Sequence, residues 1–365
     1  KFICVKILFI SRATLFADKG GDTIQIVNTA KQLVKKGVHA DIRLCNEKID
    51  YSGYSLIHFF NIIRPADILV HIKKSKLPYV VSTIYVDYNE YERKMRKGLA
   101  GIIFRILPAD TIEYVKAMAR SLINGEKIMS PSYVLLGHRK SVQQIIRNAS
   151  MLLPNSHSEY ARLEAHYKTG NNYRVIPNGI DPELFEAPGI PEKDPLLVIC
   201  VGRIEGRKNQ LNVIRALNRT KYRVVFIGSP SANQLQYYDT CKNEAAYNIS
   251  FISNIPQSEL LEYYKKAKVH ILASWFETTG LSTLEAAALG CNIVVTDKGD
   301  TKEYFEAYAW YCDPDSTASV FSAVEKAADA GFNEQLRTKI LKQYTWEQAA
   351  GKTLEAYREV TGYTN

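Results

Sequence analysis

The chain alternates short, continuous apolar runs with longer amphipathic stretches. Its opening, Lys1-Phe2-Ile3-Cys4-Val5-Lys6-Ile7-Leu8-Phe9-Ile10, sets the pattern. Apolar runs of this length, bounded by turn formers, predict strands buried on both faces. Further runs stand at His39–Cys45, Ser55–Phe60, Pro78–Ile84, Ser150–Pro154 and Tyr173–Ile176. A second series occupies Leu196–Val201, Arg223–Ile227, Ile249–Ile252, Val269–Leu272 and Asn292–Thr296. Between them the period changes to that of helices. One helix is expected from Gly20-Gly21 to Gly37, with Ile24, Val27, Leu33 and Val34 as its buried side. Another covers Ser258–Ala267, and the tail from Ser316 reads as helical to near Val360. Strands alternating with helices at this spacing predict parallel α/β sheets.

The alternation is interrupted once. Pro177-Asn178-Gly179-Ile180-Asp181-Pro182 is turn chemistry, and three prolines follow within Ala187–Pro195. A chain of 365 residues is long for one domain. The expected organisation is therefore α/β, with two Rossmann-like domains at 1–178 and 179–345 and a terminal helical piece at 346–365. Within the first, residues 91–147 depart from the pattern: they read as mostly helical and carry eleven bases against four acids.

Composition narrows the partners. Hydrophobic content of 46% and charged content of 23% are ordinary for a globular chain, and no run approaches the roughly 18 apolar residues of a membrane span. The net charge of +9 points to an anionic partner, a nucleotide, a phosphate or an acidic membrane surface. No nucleic-acid motif is present, so no nucleic-acid partner is expected. The six cysteines are scattered without a C-x-x-C pair, which predicts free thiols in a reducing, cytoplasmic setting and no zinc site. The apolar opening ends without a small-residue cleavage site and reads as a first strand rather than a signal peptide.

The stretch richest in candidate chemistry follows Val269–Leu272. Ala273-Ser274-Trp275-Phe276-Glu277-Thr278-Thr279-Gly280 forms a loop, and Leu281 to Gly290 a short helix with its closing glycine. The loop lies at a strand's carboxyl end, where open α/β sheets bind ligands, and the helix start offers N–H groups suited to phosphate. Glu277 and Glu285 bracket this turn. Taken singly, each is equally a solvated acid or a complement to the helix dipole. Gly202-Arg203-Ile204-Glu205-Gly206-Arg207-Lys208-Asn209 leaves another strand end with bases on both sides of a glycine turn, as a diphosphate requires. Gly228 ends the next strand. In the first half, Gly20-Gly21 before a helix resembles a phosphate-approach loop, and Ser82-Thr83-Ile84-Tyr85-Val86-Asp87 leaves a further strand end. There is no G-x-G-x-x-G, P-loop, H-E-x-x-H or G-x-S-x-G, and Asp313-Pro314-Asp315 reads as a turn rather than a metal motif.

Together, Pro177-Asn178-Gly179-Ile180-Asp181, Val201-Gly202-Arg203 with Lys208-Asn209, and Glu277 followed by Glu285 resemble the family 4 retaining glycosyltransferases of the GT-B fold, the glycosyl transferases group 1. Gly20-Gly21 and Tyr344-Thr345-Trp346 are similar too. The likeness spans nearly the whole chain and is loose between about 88 and 150. It implies two Rossmann-like domains facing a central cleft, the second binding a nucleotide-sugar donor, UDP- or GDP-linked, and the first the acceptor. By motif, Arg203 and Lys208 would hold the diphosphate, Glu285 the ribose and Glu277 the transferred sugar. Gly202 and Gly228 belong to the same donor side. The backbone of Thr278, Thr279, Gly280 and Leu281 would cap sugar and phosphate. Gly20 and Gly21 would close over the diphosphate, and the helix from Trp346 would cross back to the first domain. No metal or other cofactor is expected. Where the family usually has a His, this chain has Tyr85, with Asp87 two residues on, as the acceptor or sugar side. Tyrosine can hydrogen-bond a hydroxyl but cannot share a proton near neutral pH. The expected activity is retaining hexosyl transfer to a glycan or glycolipid in cell-surface polysaccharide or glycolipid synthesis. A noncatalytic nucleotide-sugar binder and a nucleotide-sugar epimerase are the alternatives. The basic, apolar stretch Lys94–Arg105 further suggests peripheral contact with the inner face of a membrane.

Overall fold

A computed structural model describes residues 6–95, 106–123, 130–185 and 192–362. The chain divides into two compact units. The first comprises Lys1–Tyr85, Glu92–Asn178 and Trp346–Asn365; the second comprises Val86–Tyr91 and Gly179–Thr345. The short segment Val86–Tyr91 packs with the second unit, although the chain on either side of it belongs to the first.

The first unit is built on five parallel strands, β1 (Lys6–Ser11), β2 (His39–Leu44), β3 (Leu56–Phe60), β4 (Tyr79–Ser82) and β5 (Met151–Leu152), in the order β2-β1-β3-β4-β5. β3 and β4 are buried along their whole length, which is why they read as largely apolar runs broken only by His58 and Ser82. Leu8, Ile57, Phe59 and Val81 are among the residues that form the core beneath the helices. The expected strand at Tyr173–Ile176 is instead a single bridge, Leu152 to Tyr173, continued by hydrogen bonds from Arg174 N–H to Leu152 O (3.0 Å) and Ile176 N–H to Pro154 O (2.8 Å). β5 has only two residues and offers no ladder for a full strand to join.

The helix Gly21–Lys35 forms where expected, but its face is turned. Ile24, Val27 and Val34 are 44%, 39% and 57% exposed, while Ile26, Ala30 and Leu33 are buried together with Thr23 and Thr29. Ile26, Ala30 and Leu33 share the i, i+4, i+7 stripe, and small polar threonines complete it. Of the four residues expected to face inward only Leu33 does; counting apolar residues alone otherwise selected the neighbouring stripe. The tail is three helices, Thr317–Asp329, Glu334–Gln343 and Trp346–Thr361, and the last returns to the first unit and packs on Gly21–Lys35.

That return is pinned through His58 of β3. Its ring accepts or donates at both nitrogens, to Tyr357 Oη at 2.6 Å and to Ser82 Oγ at 2.8 Å. Burial pushes the His58 imidazole down to about 3, so it is neutral and each nitrogen needs its partner.

The basic segment is partly tied down. Arg139 and His166 both contact Asp110 Oδ2, at 2.9 and 3.0 Å, and Lys116 pairs with Glu113 at 2.9 Å. Burial opposes ionisation of Asp110, but these partners outweigh it and bring it down to about 2. Apart from Lys94 and Met95, the expected interfacial stretch Lys94–Arg105 lies outside the described residues. Among the described residues no helix is long and apolar enough to cross a membrane.

The second unit holds six parallel strands, β6 (Asp194–Val201), β7 (Arg223–Ile227), β8 (Ile249–Ile252), β9 (Ala267–Leu272), β10 (Asn292–Thr296) and β11 (Trp310–Cys312). Their order is β11-β10-β9-β6-β7-β8. Chain order therefore reverses between β6 and β9, and the loops leaving those two strands depart to opposite sides. The described cysteines Cys45, Cys200, Cys241, Cys291 and Cys312 are free and buried.

Replacing Tyr357 by Phe strands a buried imidazole nitrogen. The expected cost is about 1–3 kcal/mol. At roughly 2–4 °C per kcal/mol for a unit of this size, calorimetry should find the first unit's midpoint several degrees lower, and an unchanged midpoint would show that the His58 contact does not hold the terminal helix.

Candidate functional site

The reversal at β6 and β9 locates the site. Gly202 to Asn209 leave β6, and Ala273 to Gly280 leave β9, so the two loops singled out in the sequence stand at adjacent strand ends. The β6 end has to pass close to the β7 end. Gly202 N–H donates to Ile227 O (3.0 Å), and a Cβ on Gly228 would lie 2.1 Å from Gly202 O. With φ at +145°, Gly228 is excluded from substitution on both counts.

The basic loop is braced from within. Gly206–Lys208 form a single 3₁₀ turn, and Gln210 Nε2 donates to Arg203 O at 2.9 Å. Glu205 receives Arg207 at 3.0 Å and stands 4.0 Å from Arg203. Asn209, left-handed at φ +60°, donates through Nδ2 to Ala273 O (3.0 Å) and Pro314 O (2.7 Å), which ties the loop to the ends of β9 and β11. Asp313-Pro314-Asp315 is indeed a turn, with Asp315 N–H donating to Asp313 Oδ1 at 3.0 Å.

Lys208 and Glu277 meet directly. Lys208 Nζ donates to Glu277 Oε2 at 2.6 Å, and Ser274 Oγ donates to the same oxygen at 3.0 Å. Burial by itself would lower the Lys208 ammonium; the Glu277 carboxylate outweighs it and raises it, so the ammonium keeps its charge. Glu277 is held by its backbone as well. Its N–H donates to Lys298 O (3.3 Å), its carbonyl accepts from Asp300 N–H (2.9 Å), and a Cβ on Gly299 would lie 2.0 Å from that carbonyl. Nothing local to Gly299 marks it, because its partner lies 22 residues earlier in the chain.

The helix Leu281–Ala288 begins at Gly280, left-handed at φ +65°. Thr279 Oγ1 is spent on Tyr304 Oη at 3.0 Å, so only the backbone of this turn is available to a ligand through Thr279. Ser282 Oγ donates to Val201 O at 2.9 Å and fixes the helix start to the end of β6. Four residues along the helix from Leu281, Glu285 accepts from Tyr264 Oη at 2.9 Å. Burial raises this carboxyl to about 7, against the smaller lowering effect of Tyr264.

Other expected residues fall elsewhere. Gly20, Gly21 and Tyr85 belong to the first unit. Gly20 N–H donates to Thr23 Oγ1 at 3.1 Å, in a loop that Arg12 braces by pairing with Asp22 at 2.6 Å. Tyr85 is only 9% exposed, with its ring edge-on to Tyr167 at 6.0 Å, and its N–H donates to Glu159 Oε1 at 2.7 Å. Asp87 belongs to the second unit, where its Oδ1 accepts from Asn89 N–H at 2.9 Å and caps a turn. What sequence inspection missed is the segment around it. Tyr88 lies with its ring 4.7 Å from the Arg207 guanidinium and 6.1 Å, edge-on, from the Phe276 ring. Among the described residues no group of three or more His, Cys, Asp or Glu is arranged to hold a metal ion.

Residues 181–343 match the family model described as glycosyl transferases group 1. A D-inositol 3-phosphate glycosyltransferase from Kribbella flavida is 26% identical over 284 residues, covering 69% of this chain and 65% of that protein. The match thus spans just under two thirds of that relative's length. The fold matches a sucrose-phosphate synthase from Thermosynechococcus elongatus, with a TM-score of 0.73 at 16% identity over 99% of this chain and all of the other. It also matches Anabaena HepE, solved in complex with UDP, with a TM-score of 0.65 at 14% identity over 97% of this chain and all of that one.

Glu285 supplies a test by pH. Its folded pKa, about 7, lies above its ordinary 4.5, so the native state holds a proton that the unfolded chain releases first. The associated stability is present below 4.5 and is lost as pH rises toward 7, by about 3 kcal/mol at most. Glu285→Gln should therefore melt later than the parent at pH 8 and close to it at pH 4.5. A difference in midpoint that does not vary with pH would disprove a buried, proton-holding Glu285.

Proposed function

For a chain whose second unit belongs to the glycosyl transferases group 1 family, we propose retaining transfer of a sugar from a nucleotide-sugar donor to a glycan or lipid-linked acceptor. One observation carries this most directly: the Lys208–Glu277 pair, 2.6 Å apart, bridges the two loops at the point where strand order reverses. A cation for the diphosphate and a carboxylate for sugar hydroxyls then lie in contact before any ligand arrives. Arg203, a partly exposed cation beside Glu205, adds a second charge to the same loop.

When donor binds, the diphosphate takes Lys208 as its counter-ion and frees Glu277 to accept from hydroxyls of the sugar. Arg203 and Lys208 neutralise the charge that grows on the leaving nucleoside diphosphate as the glycosidic bond opens through an oxocarbenium-like transition state. Such fixed charges, aimed at a developing anion, are commonly the largest single contribution to rate. Glu285 accepts from the ribose hydroxyls. A carboxyl raised to about 7 by burial is costly to the fold, and groups perturbed in this way cluster at functional sites. The backbone from Thr278 to Leu281, with the start of the Leu281–Ala288 helix, offers N–H donors to sugar and phosphate. Binding needs no metal in this scheme, because the two bases supply the positive charge.

The Kribbella relative is named for transfer to an inositol phosphate, and HepE was solved with UDP. The second supports a uridine nucleotide sugar as donor, and the first a polyol phosphate as acceptor. Tyr85 and Asp87 are the acceptor-side candidates. Tyr85 is nearly buried and Asp87 caps a turn, so their contribution is to shape the strand end that follows β4.

A thermal-shift and calorimetric panel of UDP, GDP and ADP with their sugars tests the donor side. One series should raise the melting midpoint, and Arg203→Ala and Lys208→Ala should each weaken that nucleoside diphosphate by tenfold or more, about 1.4 kcal/mol. Glu277→Gln should keep nucleoside diphosphate affinity and lose sugar transfer. Undiminished binding in both basic-loop variants would sink the assignment.

A further inference from the structure

The second unit contains six residues that the chain supplies far from the rest of it, Val86–Tyr91. Three contacts hold this strap. Both carboxylate oxygens of Glu90 lie 2.5 Å from Lys298 Nζ. Tyr91 sets its hydroxyl against Gly206, so closely that a Cβ there would lie 2.1 Å from it, and its ring is 6.3 Å from that of Trp275. Asp87 caps the turn that starts the helix Asn89–Met95.

The anchors fall on the same loops that form the donor site. Gly206 belongs to the loop after β6, Trp275 to the loop after β9, and Lys298 adjoins Gly299, whose neighbours hold the Glu277 backbone. Between these anchors Tyr88 spans the two loops, with its face over Arg207 and its edge to Phe276. Arg207 is in turn bound to Glu205. The strap therefore fixes one aromatic ring between Arg207 and Phe276, the residues that immediately precede Lys208 and Glu277.

We propose that Tyr88 is a donor-binding residue, a wall of the site that packs on the transferred sugar and gives its hydroxyl to a sugar oxygen. This rests on the transferase reading of the same site. A ring held on both sides by side chains of opposite loops loses little freedom when a ligand arrives. Aromatic faces suit the apolar face of a hexose, and a phenol can donate to one of its hydroxyls. Burial first, and the carboxylates of Glu277 and Glu205 with it, raise the Tyr88 phenol despite Arg207 and Lys208, so it stays protonated as a donor at neutral pH. The sugar, rather than the base, is the part affected, because Glu277 is the acid beside which the ring stands.

The test compares bare and sugar-bearing nucleotides on the full chain. Dissociation constants are measured for UDP, UDP-glucose, GDP and GDP-mannose with the parent, Tyr88→Phe, Tyr88→Ala and Lys298→Ala. The first substitution keeps the ring on Arg207 and removes only the hydroxyl. It should leave UDP and GDP affinity within twofold while weakening the bound sugar nucleotide by about fivefold or more. Tyr88→Ala should enlarge that loss. Lys298→Ala keeps Tyr88 and removes the anchor that holds the strap by its Glu90, and should lose sugar discrimination in the same direction without touching the ring. Equal losses for nucleotide and sugar nucleotide, no loss in Tyr88→Phe, or tighter binding in Tyr88→Ala, as for a ring that plugs the site, would each overturn the proposal alone. A parent chain that binds none of the four overturns the transferase reading and this role together.

Discussion

The second unit depends on one topological fact, the reversal of strand order between β6 and β9. In a parallel sheet every connection must cross over a face, and right-handed crossovers send the chain to one side before the reversal and to the other after it. The two loops that leave β6 and β9 therefore diverge and leave a gap at the sheet's carboxyl edge. Nothing from the sheet itself can fill that gap. The chain lines it with Gly202 to Asn209 on one side and Ala273 to Gly280 on the other, and close-approach glycines, Gly228 against Gly202 and Gly299 against Glu277, let the strand ends come together.

Charge is then placed in that gap at some cost. A lysine and a glutamate removed from water are each penalised, and their contact at 2.6 Å offsets the penalty only while both are present. Ser274 satisfies a further lone pair of Glu277. Glu285 has no base beside it; Tyr264 is its hydrogen-bond partner, and its raised pKa records the uncompensated part of its burial. One acid is thus paired with a lysine, while burial raises the other to about 7. The difference comes from their neighbours and not from their residue type.

The first unit obeys the same sheet rule with a different strand order, β2-β1-β3-β4-β5, and has its own unusual geometry at the strand ends. Asn61 after β3 and Ile84 after β4 both take left-handed backbones, at φ +71° and +45°. For a β-branched residue this is strained, and Glu159 holds the turn by accepting from Thr83 Oγ1 and from Tyr85 N–H on either side of Ile84. Ser156-His157-Ser158-Glu159 has the spacing of a helix capping box, and Ser156 does cap Glu159 N–H at 2.9 Å. The glutamate side chain is shared, its Oε1 serving the strained turn and its Oε2 accepting from Asn155 N–H, one residue before the cap, at 2.8 Å.

Much of the fold was legible because its signals are local. A strand deep in a parallel sheet is mostly apolar, so β3, β4, β7 and β10 announce themselves within four or five residues even with His58, Arg223 and Asn292 among them. The basic loop and the two acids were visible for a similar reason, since each sits beside a strand end that the pattern locates. Three things needed the tertiary structure. The inward stripe of Gly21–Lys35 depends on which side the sheet and the terminal helix occupy, and threonines serve there as well as leucines. The glycines at 228 and 299 matter only because another backbone lies against them. The strap Val86–Tyr91 carries no helical or strand period, and its value lies wholly in Arg207, Gly206, Phe276 and Lys298, more than a hundred residues away. Sequence determines what each short segment must bury; only the folded chain decides which distant segments share the ground that remains, because that follows from strand order and crossover hand rather than from neighbouring residues.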